Sequence, residues 1–306
     1  MQRCKFRSLP YLKLPTGCKN NFGSAIMGVI ISTDSACDLF PDLYKQYQIE
    51  IVPLYITVDG RTRRDVFEIG PDDLFVNYEK THHLPKTSAP PPADFFELFK
   101  KQVENGNDVV HIAMNSKFSS SYQNAAIAAQ EFDNVYVVDT FTLSSAQGLL
   151  VLRAADMRDA GMTAKAIYDR IEIDKTKMRT NVLLDTLEFA YRGGRATMLQ
   201  MFGANLLKLR PCLLLDTHGV LSVRRKFRGN FMQVCKEYIR FVLEQPNMDD
   251  ERAFVSTTGM DQSLFDSIVQ MVKESGKFKQ VLTSRAGCSM TVHTGPNTLV
   301  LFYKEK

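Results

Sequence analysis

The chain has 306 residues, of which 44% are hydrophobic and 24% charged, with a formal net charge of +4. That is material for one large or two medium globular domains with an ample core, and two domains is the expectation. The small positive balance, interleaved with acidic residues, argues against a nucleic-acid footprint. Six scattered cysteines without a C-x-x-C pair argue against a zinc cluster or a disulfide scaffold and fit reduced thiols in a cytoplasm. No run of about 18 apolar residues occurs, so no membrane span is expected.

The first 26 residues carry Arg3, Lys5, Arg7, Lys13 and Lys19 without an acid or a long apolar stretch. They are expected to be an extension that is disordered or not native, the folded unit beginning near Met27. From there short β-branched runs alternate with amphipathic stretches. Val29-Ile30-Ile31, Ile51 through Ile56, Val109 through Ala113 and Val135 through Val138 read as strands, an α/β pattern with a parallel sheet. Between the second and third runs, Asp59-Gly60 is a hairpin dipeptide, and a small β-insertion is expected over about residues 55–72, before Pro71 restarts a helix. Pro91-Pro92 opens another helix with Phe95, Phe99 and Val103 on one face and Asn105-Gly106 as its stop.

A long helix over about 144–160 ends at Gly161, and Thr163 caps the next. The domain boundary is placed at residue 165, giving an N-terminal α/β domain over 27–165 and a C-terminal α/β two-layer domain over 166–306. The second domain offers strands near Asn181 to Leu184, Cys212 to Leu215, Ala253 to Val255 and Leu299 to Phe302. It also offers a helix with Leu264, Ile268 and Met271 on one face that ends at Gly276.

Six polar segments stand out against this background. Asp34-Ser35-Ala36-Cys37-Asp38 follows the first strand, with Asp38 a helix N-cap candidate. Thr87-Ser88 lies in a turn before the proline-led helix, where hydroxyls serve a local backbone or a ligand. Ser119-Ser120-Ser121 opens a helix, and Ser120 with Gln123 fits a capping box that leaves Ser119 for a ligand. Hydroxyls beside free N–H groups at a helix start favour a carboxylate or a phosphate. Gly193-Gly194-Arg195 joins flexible backbone to a guanidinium. His293-Thr294-Gly295-Pro296 sets an imidazole at an expected strand end. Arg224 to Arg228 read as a charged edge or a docking site.

In this order and spanning Met27 to the C-terminus, the first five of these segments resemble the DegV family of fatty-acid-binding proteins. The resemblance implies a two-domain α/β protein that holds a long-chain fatty acid in a tunnel between its domains. It further implies that the acid's carboxylate is presented to a fatty-acid kinase partner for acyl-phosphate formation, feeding phospholipid synthesis in a bacterial-type cytoplasm. By position Thr87, Ser88 and Ser119 resemble the family's carboxylate-binding hydroxyls, Arg195 and His293 its site mouth, and Arg228 a residue of kinase docking. The chain departs from the family at Ala89, where glutamine is usual, and at Ser120, where glycine is usual.

On this reading the protein is a lipid carrier with no catalytic activity, cofactor or metal of its own, and with at most transient contact with a membrane surface. Two alternatives remain from the residues alone. One is a serine-dependent esterase with Ser119 as nucleophile, His293 as base and Asp34 as orienter. The other is a module that senses a lipid. The esterase lacks a G-x-S-x-G elbow, and a kinase reading lacks a phosphate-binding G-x-x-x-x-G-K-[ST] loop.

Overall fold

The computed structural model describes residues 28–193 and 209–306. The expected N-terminal extension and Arg195 therefore lie outside the described residues. The first half of the chain contains β1 (Val29–Asp34), α1 (Pro41–Gln46), β2 (Ile49–Val52), β3 (Tyr55–Val58), β4 (Arg61–Arg64), α2 (Pro71–Thr81) and β5 (Lys86–Ser88). It continues with α3 (Pro92–Glu104), β6 (Asp108–Ala113), α4 (Ser121–Ala129), β7 (Val135–Asp139), α5 (Ser145–Asp159) and α6 (Ala164–Asp174). The second half contains β8 (Met178–Leu183), α7 (Glu188–Arg192), β9 (Arg210–Leu215), β10 (Leu221–Phe227), α8 (Phe231–Leu243) and β11 (Met248–Thr257). After these come α9 (Gln262–Glu274), β12 (Gln280–Arg285), α10 (Cys288–Thr294) and β13 (Leu299–Glu305).

The fold is α/β, with three sheets. A parallel sheet runs β2-β1-β6-β7, a mixed sheet runs β10-β9-β8-β13-β11-β12 with only β11 and β12 parallel, and a small antiparallel sheet runs β4-β3-β5. The run from Ile51 to Ile56, read from sequence as one strand, is two. Pro53 lacks an N–H and separates β2 in the parallel sheet from β3 in the small one. β3 returns as β4 through Asp59 and Gly60, both at positive φ, as the primed hairpin turn requires. β5 then pairs with the free edge of β3, setting Thr87 opposite Ile56, so Thr87 and Ser88 are held in a strand rather than a turn.

Alternation along the strands sorts the core into layers. One face of the parallel sheet, with Val109 and the partly buried Ile30, Val135 and Val137, packs on Phe95 and Phe99 of α3 and Ala125 and Ala128 of α4. Its other face, with Ile31, Val110, Ile112 and Val138, packs on α5. Phe254, Val300 and Phe302 of the mixed sheet join that same cluster from the opposite side. The reverse face of the mixed sheet, with Val255, Leu301 and Tyr303, is covered by α8 and α9. Helix α5 is therefore apolar or small nearly all round and buried from Ser145 through Leu152, as a helix between two sheets must be.

Candidate functional site

The seven residues of α10 carry a functional group at one end and are held from the other. At the N-terminal end the Gly287 N–H donates to Asp38 (2.8 Å), and the N–H groups of Cys288 and Ser289 donate to Asp65 (3.2 Å each). The Ser289 hydroxyl also donates to Asp65 (2.6 Å). Both carboxylates come from the first half of the chain and satisfy donors that every helix start leaves open. Asp38 itself sits in the left-handed region at φ 51°, where its carboxylate accepts from the Ser144 hydroxyl (2.5 Å), so it does not cap the following helix as the sequence suggested. Phe40 occupies that position instead.

Asp34 organises the neighbouring strand ends. Its carboxylate accepts from the N–H groups of Ala36 (3.2 Å) and Met114 (2.9 Å), the Ser121 hydroxyl (2.7 Å) and the Gln147 amide (3.0 Å). Burial raises the pKa of Asp34 and pushes that of Asp38 up to about 8; these donors pull Asp34 back, and the Ser144 hydroxyl and Gly287 N–H pull Asp38 back. The Asp65 and Asp34 carboxylates also face Asp38 and add to its rise.

At the C-terminal end of α10, His293 points Nε2 at the Thr87 hydroxyl (2.9 Å). The sequence reading placed His293 at a strand end. The segment Cys288 to Thr294 has β-branched Thr291, Val292 and Thr294 and little helix propensity of its own, so the remote caps Asp38 and Asp65 make it helical. Two glycines admit the packing around it. A Cβ on Gly193 would lie 2.6 Å from His293 Nδ1, and one on Gly295, at φ 74°, would lie 2.4 Å from the Phe189 ring.

Thr87, Ser88, Ser119 and His293 all line one cavity of about 920 Å³, open solvent at its mouth included. The cavity lies outside the carboxyl ends of the parallel strands, the usual ligand crevice of such sheets. Its wall is Leu54, Met114, Phe118 and Leu143 from the first half of the chain, with Val182, Leu184, Leu213, Leu215 and Leu221 from the mixed sheet. Ala190 and Met290 complete the apolar surface. The capping at α4 differs from the sequence reading: Ser119 Oγ, and not Ser120, accepts from the Ser121 N–H (3.2 Å), and the Ser120 hydroxyl makes no cap bond. The Ser119 O–H keeps its hydrogen for a group in the cavity. When His293 carries its proton on Nε2, it donates to Thr87 and turns the Thr87 hydrogen outward as well. The site then offers hydroxyl donors at the edge of an aliphatic sleeve, an arrangement that fits an amphiphilic anion.

Sequence reasoning missed Ser289, Thr180 and Asp65. Asp65 follows an arginine-rich strand, and Thr180 lies between Arg179 and Asn181 in a polar strand start, so neither carried a local signal. Arg228 is exposed just past β10 and does not line the cavity. Asp34 is committed to Ser121, Gln147 and backbone N–H groups. Among the described residues no group of histidine, cysteine or carboxylate side chains has the makings of a metal centre, and no helix is long and apolar enough to cross a membrane.

Residues 28–306 match the model of the DegV family, which is described as an uncharacterised protein family. A DegV domain-containing protein of Caldanaerobacter subterraneus is 30% identical over 284 residues, covering 91% of this chain and 99% of its own. Among solved structures, the chain superposes on a fatty-acid-binding DegV family protein from Thermus thermophilus with a TM-score of 0.82 at 30% identity, covering 92% of this chain and 100% of that one. A DegV lipid-binding protein from Thermotoga maritima follows with a TM-score of 0.78 at 27% identity, over 91% and 99% of the two chains.

Proposed function

The chain belongs to the DegV family, and from that premise we propose that it is a lipid carrier whose cavity holds one long-chain fatty acid. Thr87, Ser88 and Ser119 bind the carboxylate, with His293 and Arg195 at the mouth. What supports this reading is the meeting of Thr87, Ser119 and His293, from three separate segments, on one cavity whose wall is mainly apolar. Hydroxyl donors compensate the carboxylate for lost water, and each buried methylene contributes about 0.8 kcal/mol. The likeness to relatives that bind fatty acid or lipid points the same way. Denaturing mass spectrometry of an organic extract of the purified protein tests the proposal. A fatty acid recovered at about one per chain is the expected result, and an extract free of lipid, with no uptake of added fatty acid, overturns it.

The carrier presents the carboxylate to a fatty-acid kinase, which converts it to an acyl phosphate while the carrier supplies no catalysis. Arg228 contributes to docking, together with the exposed Arg224, Arg225 and Lys226 of edge strand β10. Arg228→Glu is expected to lower acyl-phosphate formation with the kinase and leave lipid content unchanged. The esterase alternative is disfavoured because His293 Nε2 is engaged with Thr87 and the Asp34 carboxylate with Ser121 and Gln147. Hydrolysis of a chromogenic ester that disappears in Ser119→Ala would restore it.

A further inference from the structure

On the mixed-sheet side of the cavity, one hydroxyl interrupts an otherwise aliphatic wall. Thr180 of β8 lines it, is 2% exposed, and meets the Thr142 hydroxyl behind it at 3.1 Å. Two hydroxyls carry two hydrogens, and a single mutual bond uses one of them. Thr142 is packed away from the cavity, its N–H donating to the Thr140 hydroxyl (3.3 Å) and its carbonyl accepting from the Asn115 N–H (2.8 Å). The arrangement that leaves no hydrogen stranded has Thr142 donating to Thr180 and Thr180 pointing its own hydrogen into the cavity.

The register places this donor away from the carboxylate site. Leu183 pairs with Leu299, which follows α10 and His293, whereas Thr180 pairs with Phe302. Thr180 is thus three positions, about 10 Å, further along β8 from that end. Val182 and Leu184, on the same face and between the two, are aliphatic. A saturated chain lying there covers the Thr180 hydroxyl and gives it nothing to bond, which costs binding free energy.

Resting on the fatty-acid reading above, we infer that the cavity selects acyl chains that carry an oxygen acceptor along the chain at the depth of Thr180, a hydroxy or oxo fatty acid. A net hydrogen bond of ordinary strength makes such an acid bind roughly 3- to 10-fold more tightly than its saturated parent. The test is a competition against a fluorescent fatty acid, using stearic acid and a positional series of monohydroxystearic acids on wild type, Thr180→Val and Thr180→Ser. The expected result is a preference confined to one or two neighbouring positions, lost in Thr180→Val and kept in Thr180→Ser. Hydroxylation that weakens binding at every position, or a preference that survives Thr180→Val, overturns the inference while stearic acid binding keeps the carrier reading intact. Failure of the wild type to bind any of these acids overturns both.

Discussion

At the N-terminal end of α10, Asp38 and Asp65 are almost wholly buried, and their oxygens accept from backbone N–H groups and hydroxyls. At its C-terminal end, Thr87 and His293 are half-buried on the edge of an open cavity, and the Thr87 hydroxyl is bonded once. The first cluster is closed: each acceptor meets donors fixed by the fold, so its job is to hold the helix. With His293 protonated on Nε2, the second keeps the Thr87 hydrogen in reserve, which a scaffold has no use for and a ligand does. Polar residues at a helix end are thus told apart by whether the fold itself exhausts their hydrogen-bonding capacity.

The largest effect is expected on the closed side. Asp65→Ala strands the N–H groups of Cys288 and Ser289 and the Ser289 hydroxyl, at about 1–3 kcal/mol each before relaxation, for a total of roughly 3–5 kcal/mol. A urea midpoint at unchanged m-value measures it, and a loss below about 1 kcal/mol would erase the contrast. Asp38→Asn is expected to act in the opposite sense. With a folded pKa of about 8 against an ordinary 3.8, the contribution of Asp38 is fully present below pH 3.8 and is lost as pH rises through 8. The amide cannot ionise, so it is expected to flatten the slope between those limits, its margin relative to wild type rising with pH. Chemical denaturation at several pH values decides this.

His111 adds a buried titratable group in the parallel sheet. Its Nδ1 bonds the Ser32 hydroxyl (2.9 Å), and burial lowers its pKa from 6.5 to about 3. The unfolded chain takes a proton below 6.5 and the folded one does not, so stability falls with pH over that range, by about 2 kcal/mol at pH 5. His111→Asn should remove this slope whatever its own stability. The smallest effects belong to the open side. Thr87→Ala and Ser119→Ala are expected to weaken lipid retention by roughly 1–3 kcal/mol while moving the stability of the lipid-free protein by no more than about 0.5 kcal/mol. Equal lipid retention in wild type and both variants would sink the role assigned to these hydroxyls.

Elements with strong local signals were legible in the sequence. Pro91-Pro92 and Asn105-Gly106 bracket α3, Asp59-Gly60 turns β3 into β4, and Gly161 follows α5. Features that depend on remote partners were not. The helical state of Cys288 to Thr294 needs Asp38 and Asp65, more than 200 residues away, and the strand state of Thr87 needs the open edge of β3. The site residues stood out as motif members by resemblance, but spacing alone could not show that segments around residues 87, 119 and 293 meet, because chain folding and not periodicity brings them together. Thr180 carries no motif, and its position shows only when the cavity wall is assembled.

The burial of α5 on both sides has a consequence for the whole polypeptide. Its residues complete the interiors of two sheets at once, so a break in the backbone near residue 175 would leave each fragment with an open apolar face. Pieces produced separately should aggregate, and pieces produced together should reassemble. Heating the intact molecule should melt everything in one cooperative step, with no stage at which half of it survives.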